Sequence, residues 1–433
     1  MRTRSVVLIL VGLLLAGMAA HTLVYGASKK AGKVAAVLSQ NNLRQSFQGQ
    51  AGITLDLKGT GNQDLLVGAP RAGRKGATGT VLVYRATDQG LQAKPSVFFE
   101  GEGNFGWSLA ALAGNIFAAG AINGSGDIPV AGTVSIYKWD KLPQKVAVLS
   151  GERAMDRFGY TLAVGDLNGD GIPDLIVGAP YHSPTPALYQ KGAVYVFFGP
   201  DYVQSIKIPA TSANGGLGFS VAAGDLNGDG VDDLLLQASG KVICFFGVKG
   251  AFAPSTPDVV FTSTDAGFGK SIAVLTDLNG DGFKEVAVGA DQAVIGGVAN
   301  SGRLYILKGG SAKGTFSADA VSLAKIDGEP NGGRFGSVLL PLGDINSDGI
   351  PDLAVSAVHA DGNPWPMTGK IFLFSGSTLT SGATVASAQA IPGNARDMHL
   401  GSFMALVGNG TRLAAGAPTE NLNTGAVRLF DLQ

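Results

Sequence analysis

Four stretches of this 433-residue chain set oxygen-bearing side chains at fixed positions of a nine-residue turn. The first runs Asp-Leu-Asn-Gly-Asp-Gly-Ile-Pro-Asp and offers Asp166, Asn168, Asp170 and Asp174; the second offers Asp225, Asn227, Asp229 and Asp233. The third offers Asp277, Asn279, Asp281 and Glu285, and the fourth Asp344, Asn346, Asp348 and Asp352, with Ser347 in place of a glycine. Side chains at positions 1, 3, 5 and 9 surround a hard cation with oxygen, and the position-7 carbonyl, of Ile172, Val231, Phe283 and Ile350 respectively, completes the cage. Glycine at position 6 supplies the sharp bend. Calcium tolerates such an irregular cage, magnesium demands stricter octahedral geometry, and no Cys or His stands where zinc or copper would need one. A single Asx-rich turn is usually satisfied by its own backbone N–H groups. Four copies at one place in a repeat favour calcium, about four ions in all.

The loops sit inside a larger repeat. Phe158-Gly159, the acidic loop from Asp166, Gly178-Ala179-Pro180 and the run Gly192 to Gly199 recur in the same order, with starts near 47, 105, 158, 217, 268, 335 and 400. Each repeat holds apolar runs such as Asp174 to Ala179, Val194 to Phe198 and a weaker Ser205 to Ile208, bounded by Gly, Pro, Asn or Asp. Short Val-, Ile-, Leu- and Phe-rich runs between turn residues read as antiparallel strands. Seven such units packed radially bury their faces and leave few exposed edges. The expected fold is all-β, a seven-bladed β-propeller with four-stranded antiparallel blades over residues 28–433.

The chain ends bear on closure. Val427 to Leu432 matches a third strand with no fourth after it, and Lys33 to Leu38 precedes the first repeat with no place in blade one. The N-terminal strand is therefore expected to close the propeller as the outer strand of the last blade. Three repeats lack the cage. Blade one places Lys58 at the third ligand position between Asp56 and Asp64, blade two reads Leu112-Ala-Gly-Asn-Ile-Phe, and blade seven Val407-Gly-Asn-Gly-Thr-Arg412. These read as ordinary tight turns.

Composition narrows the function. Lys+Arg total 32 against 33 Asp+Glu, so nucleic acid is not an expected partner. One Cys excludes an internal disulfide framework, and the 65 glycines follow no G-X-Y period. Arg2 and Arg4 before the apolar run Val6 to Ala20 read as an export signal over residues 1–27. With it cleaved, no integral membrane domain is expected and the chain is placed as secreted, extracellular or in the cell envelope. The alternative is an uncleaved anchor extended through Val24.

Together, Phe-Gly, the acidic loop and Gly-Ala-Pro resemble FG-GAP repeats, the units of the seven-bladed propeller at the head of integrin alpha subunits. The resemblance covers residues 33–433. It implies that the four acidic loops bind structural calcium on the lower face, opposite the loops that meet protein ligands.

Candidate ligand-binding residues lie in the connections after the second strands: Tyr181, His182 and Tyr189 in one, His359 and Trp365 in another. Aromatic side chains on Pro-rich loops can anchor a peptide or glycan; equally, Trp365 and Tyr189 can fold back over the blade tops. Trp107 reads as facing the core or central channel, Tyr137 and Trp139 as packing between blades, and Cys244 as a small buried apolar residue. No catalytic residue is assigned, because His182, His359 and His399 are dispersed and calcium-bound carboxylates are poor general acids. The reading is a calcium-stabilised scaffold that binds protein or carbohydrate, with a role in adhesion. The alternative is a polysaccharide-processing enzyme with a site on the upper-face loops. The sequence assigns no oligomeric state.

Overall fold

The computed structural model describes residues 34–38, 48–72, 78–87, 90–211, 215–362, 365–420 and 424–432, all in the unit Ala31–Gln433. The expected export signal and the first repeat start, Phe47, lie outside the described residues.

Each repeat folds as an antiparallel meander. In blade three the strands Leu162–Gly165, Asp174–Ala179, Ala193–Phe197 and Ser205–Pro209 pair in chain order. Seven such sheets are present among the described residues. Their inner strands are Ala51–Leu55, Phe105–Ala111, Leu162–Gly165, Val221–Gly224, Phe268–Val274, Phe335–Gly343 and Met404–Val407. Each inner strand neighbours the next, and Met404–Val407 returns to Ala51–Leu55, so the seven stand in a ring.

The second strand of each blade is buried on both faces, which is why its sequence is a continuous apolar run rather than an alternating one. Successive side chains point into opposite seams. Leu175 and Val177 enter the core shared with blade two, while Ile176 enters the core shared with blade four. Seven clusters of this kind fill the seven seams, and the last joins Ala414 and Val427 to Leu65 and Leu82 of blade one. Truncating Ile176 to Ala would cost about 2–5 kcal/mol by the usual cavity penalty. The repeat's Phe is the seam's largest plug: Phe158 is fully buried and meets Tyr195 edge-on at 5.3 Å, as Phe268 meets Tyr305 at 5.4 Å.

The expectation of uniform four-stranded blades closed by the N-terminal strand is corrected. No sheet closes on itself. Val34–Leu38 pairs antiparallel with Ala426–Asp431 and forms the outer strand of the last blade, but that sheet, like the others, remains open at both edges. Hydrogen bonding runs radially within a blade, so the ring is completed by side-chain packing across the seam between blades seven and one. Blade four has five strands. Gly314–Ser317, from the connection between the third and fourth strands of blade five, adds in parallel to Val259–Thr262. Sequence periodicity could not show this, because a four-residue edge strand starting with Gly reads as a turn.

Candidate functional site

Antiparallel order sends every first-to-second connection to one end of the ring and every second-to-third connection to the other. The acidic loops therefore share the lower end, and the aromatic connections share the upper end.

In blade three, the Asp166 carboxylate accepts from the N–H groups of Asp170 at 3.1 Å and Gly171 at 2.8 Å, and Asp170 accepts from Ile172 N–H at 2.8 Å. Asp174 opens the second strand, fully buried, and accepts from the N–H groups of Leu167 at 3.0 Å and Gly199 at 3.1 Å. Blade four repeats the pattern: Asp225 receives Gly228 and Gly230, Asp229 receives Val231, and buried Asp233 receives Leu226 and Gly247. In blade six Asp344 receives Gly349, Asp352 receives Ile345 and Gly376, and Asp348 also accepts from the Ser375 and Ser377 hydroxyls. Backbone donors thus hold the curl of each turn.

The ninth position differs electrostatically from the others. Burial pushes the Asp174 carboxyl up to about 6, with Asp170 and Asp166 adding repulsion, although its two amide donors act the other way. Burial likewise pushes Asp233 and Glu285 up to about 7 and raises Asp352. The exposed Asp277 is held below the usual carboxylate range, chiefly by the N–H of Gly282. A cation favours the ionised form of buried carboxylates held beside others.

Blade five gathers its carboxylates most tightly. Oxygens of Asp277, Asp281 and Glu285 lie within 4.8 Å of one another, the one such group among the described residues. Glutamate's extra methylene lets a buried backbone position reach two exposed aspartates. Asn279 Nδ2 donates to Glu285 at 2.5 Å, bringing its side chain to the same point. The donors are carboxylates and an amide, a set that fits a hard cation.

Blade one contains its own cation. Asp64, at the ninth position, accepts from Arg85 Nη1 at 2.5 Å and from Ala86 N–H at 2.7 Å. The guanidinium also lies over the Trp139 ring, 4.3 Å from its centroid. Asp56 accepts from the N–H groups of Lys58, Thr60 and Gly61. The sequence pointed to Lys58 as the residue that spoils this cage and missed Arg85, whose position after the third strand was the available signal.

At the upper end, Tyr181 is 36% exposed, Tyr189 69% and Trp365 45%. His182 does not join them: it is 1% exposed, and its Nδ1 meets buried Asp156 at 2.9 Å. His359 is half-buried, with its ring 5.1 Å from that of His399. Trp107, Tyr160 and Phe219 form an arc that crosses blades two, three and four. Trp107 meets Tyr160 at 5.7 Å, and Tyr160 and Tyr181 meet Phe219 at 5.4 Å and 5.6 Å. All three arc residues follow the glycine of the repeat's opening pair, a three-fold coincidence that was visible in the sequence. Tyr137 and Trp139 are buried in the seam between blades one and two, and Cys244 is fully buried.

Comparison with known proteins agrees with this architecture. The FG-GAP repeat family matches residues 158–197, 217–243 and 268–307. The chain is 31% identical over 220 residues to integrin alpha-5 of Xenopus laevis, covering 47% of this chain and 20% of the relative. It is 32% identical over 227 residues to integrin alpha-V of Gallus gallus, covering 47% and 20%, and 36% identical over 180 residues to human integrin alpha-7, covering 38% and 15%. The matches span about a fifth of these relatives' length or less. The chain is an integrin-alpha-like β-propeller carrying FG-GAP repeats. Among the described residues, no helix is long and apolar enough to cross a membrane.

Proposed function

We propose that this protein is an exported, non-catalytic scaffold, stabilised by calcium at its lower end, that binds protein or carbohydrate through its upper face in adhesion. The observation that carries the reading is the division of labour between the two ends. Four acidic turns of one design lie at one end, and exposed Tyr181, Tyr189 and Trp365, together with the Trp107–Tyr160–Phe219 arc that Tyr181 touches, lie at the other. The similarity to integrin alpha chains supports a recognition role for such a ring.

Calcium would be held by the carboxylates and amide of each turn, with the carbonyls of Ile172, Val231, Phe283 and Ile350 as further donors. When bound, it supplies charge neutralisation for the buried ninth-position acid and ties it to the exposed turn. The test is calcium titration of chelator-treated protein together with thermal melting. Uptake of about four ions with a matching rise in Tm is expected; no uptake and no shift would overturn the metal assignment. Glycan and protein arrays, probed with the wild-type chain and a Tyr181→Ala, Trp365→Ala variant, test the upper face. Loss of a captured ligand in the variant supports the reading, whereas turnover of a glycan or undiminished capture rejects it.

A further inference from the structure

The fifth strand of blade four has a consequence beyond the scaffold. After the third strand of blade five, the chain leaves its own sheet: Gly310 N–H donates to Leu226 O at 2.9 Å, and Gly314 N–H donates to Asp258 O at 2.9 Å. Gly314–Ser317 then pairs along Val259–Thr262, which brings Phe316 opposite Phe261 with ring centroids 6.4 Å apart. The chain returns through Val321, whose carbonyl accepts from Lys308 N–H at 3.1 Å.

This excursion walls a pocket of about 210 Å³. Leu226, Phe246, Val259, Phe261, Phe316 and Val321 supply its carbon surface. A cavity of roughly 150 Å³ lined by apolar side chains holds benzene, so this one accommodates an aromatic ring with a short chain. Its lining contains one ionisable side chain, Lys308, which is exposed. The neighbouring Lys313 is already committed, to Asp258 at 2.7 Å and to the face of Phe246 at 5.5 Å. Lys308 makes no ion pair among the described residues. Buried Glu285 is the acid it acts on at longer range.

We propose that this pocket binds a small amphipathic carboxylate, its ring or branched chain seated among Phe246, Phe261 and Phe316 and its carboxylate drawn to Lys308. Charge complementarity selects this class over a neutral hydrocarbon, and the pocket's size selects a small molecule over a long acyl chain. The site lies at the seam between blades four and five, apart from the upper-face aromatics.

Phenylbutyrate and phenylbutanol, matched in their apolar part, are suitable probes in ligand-observed NMR and calorimetry on the full chain. The acid is expected to bind with a Kd of roughly millimolar or tighter and more tightly than the alcohol. Lys308→Met, which keeps the apolar stem, should weaken the acid roughly three- to five-fold and leave the alcohol unchanged. Phe316→Ala should weaken both; if its melt shows unfolding, Ala312→Trp at the pocket wall serves instead. Equal binding of acid and alcohol to the wild type would overturn the proposal in favour of an apolar side chain from a partner protein. Failure of both probes to bind, or indifference of both to the wall variant, would overturn it outright.

Discussion

Gly289 of blade five lies against Gly336 of blade six so closely that a methyl group on Gly289 would overlap the Gly336 carbonyl oxygen. That oxygen also accepts from the Ser271 hydroxyl at 2.6 Å, and Gly336 itself has φ +87, which disfavours any other residue. The same glycine pair recurs as Gly178 with Gly218 and Gly416 with Gly49. The two glycines of the repeat are thus one contact, made between successive blades. Gly289→Ala is expected to destabilise the protein by about 3 kcal/mol through overpacking, read as a drop in the urea midpoint. A change within error would show that the seam can widen at no cost. Blade four departs from the pair: Gln237 stands in place of the first glycine there, and a Cβ on Gly269 would lie 2.8 Å from Gln237 Cγ.

Arg85 gives blade one a permanent counter-charge. Asp64 is 4% exposed, so removing the guanidinium leaves a buried carboxylate with one amide donor. Arg85→Met should cost about 3 kcal/mol, equally in calcium and in chelator. The double variant Arg85→Met, Asp64→Leu should recover part of that loss, since replacing both partners of a buried pair by apolar groups is often nearly neutral. A loss that appears only in chelator and is rescued by calcium would mean that this turn, too, binds metal once the guanidinium is gone.

Much of this was legible because the repeat states the same physics seven times. Phe158, Gly159 and Gly178 mark one blade, and their recurrence locates the strands, since buried second strands and crowded seams leave few alternatives. The acidic turns were legible for the same reason. Pairs joined by the fold alone were not. Arg85 reaches Asp64 across 21 positions, and His182 is claimed by Asp156 from 26 positions upstream. Neither separation matches a helical or strand period. The extra strand Gly314–Ser317 is four residues long and stabilised by a different blade, so its own sequence could not announce it.

The blade-five turn offers the sharpest metal test, because three carboxylates converge there. Glu285→Gln keeps the shape and the bond that Leu278 N–H makes at 2.6 Å, while removing the buried charge. Under the calcium reading it should lower uptake by about one ion and narrow the Tm difference between calcium and chelator. In chelator its melt should equal or exceed that of the wild type, because a neutral amide is less costly to bury than a carboxylate. Full uptake by Glu285→Gln would remove this loop from the metal sites.

His359 supplies a pH dependence whose sign is fixed by its surroundings. Burial first, then Arg334 and His399, bring its imidazole down from 6.5 to about 4. The folded chain therefore keeps it neutral where the unfolded chain already binds a proton. Its contribution to stability is fully present above pH 6.5 and is lost as the pH falls toward 4. His399 is also lowered by burial, and its Nδ1 lies 2.6 Å from the Thr419 hydroxyl. His359→Gln removes one of the two titrations while leaving a polar side chain in place. The loss of urea midpoint between neutral and acid buffer should thus be smaller in the variant than in the wild type, with the two curves drawing together at low pH. Parallel curves would mean that His359 is as easily protonated in the folded ring as in the unfolded chain.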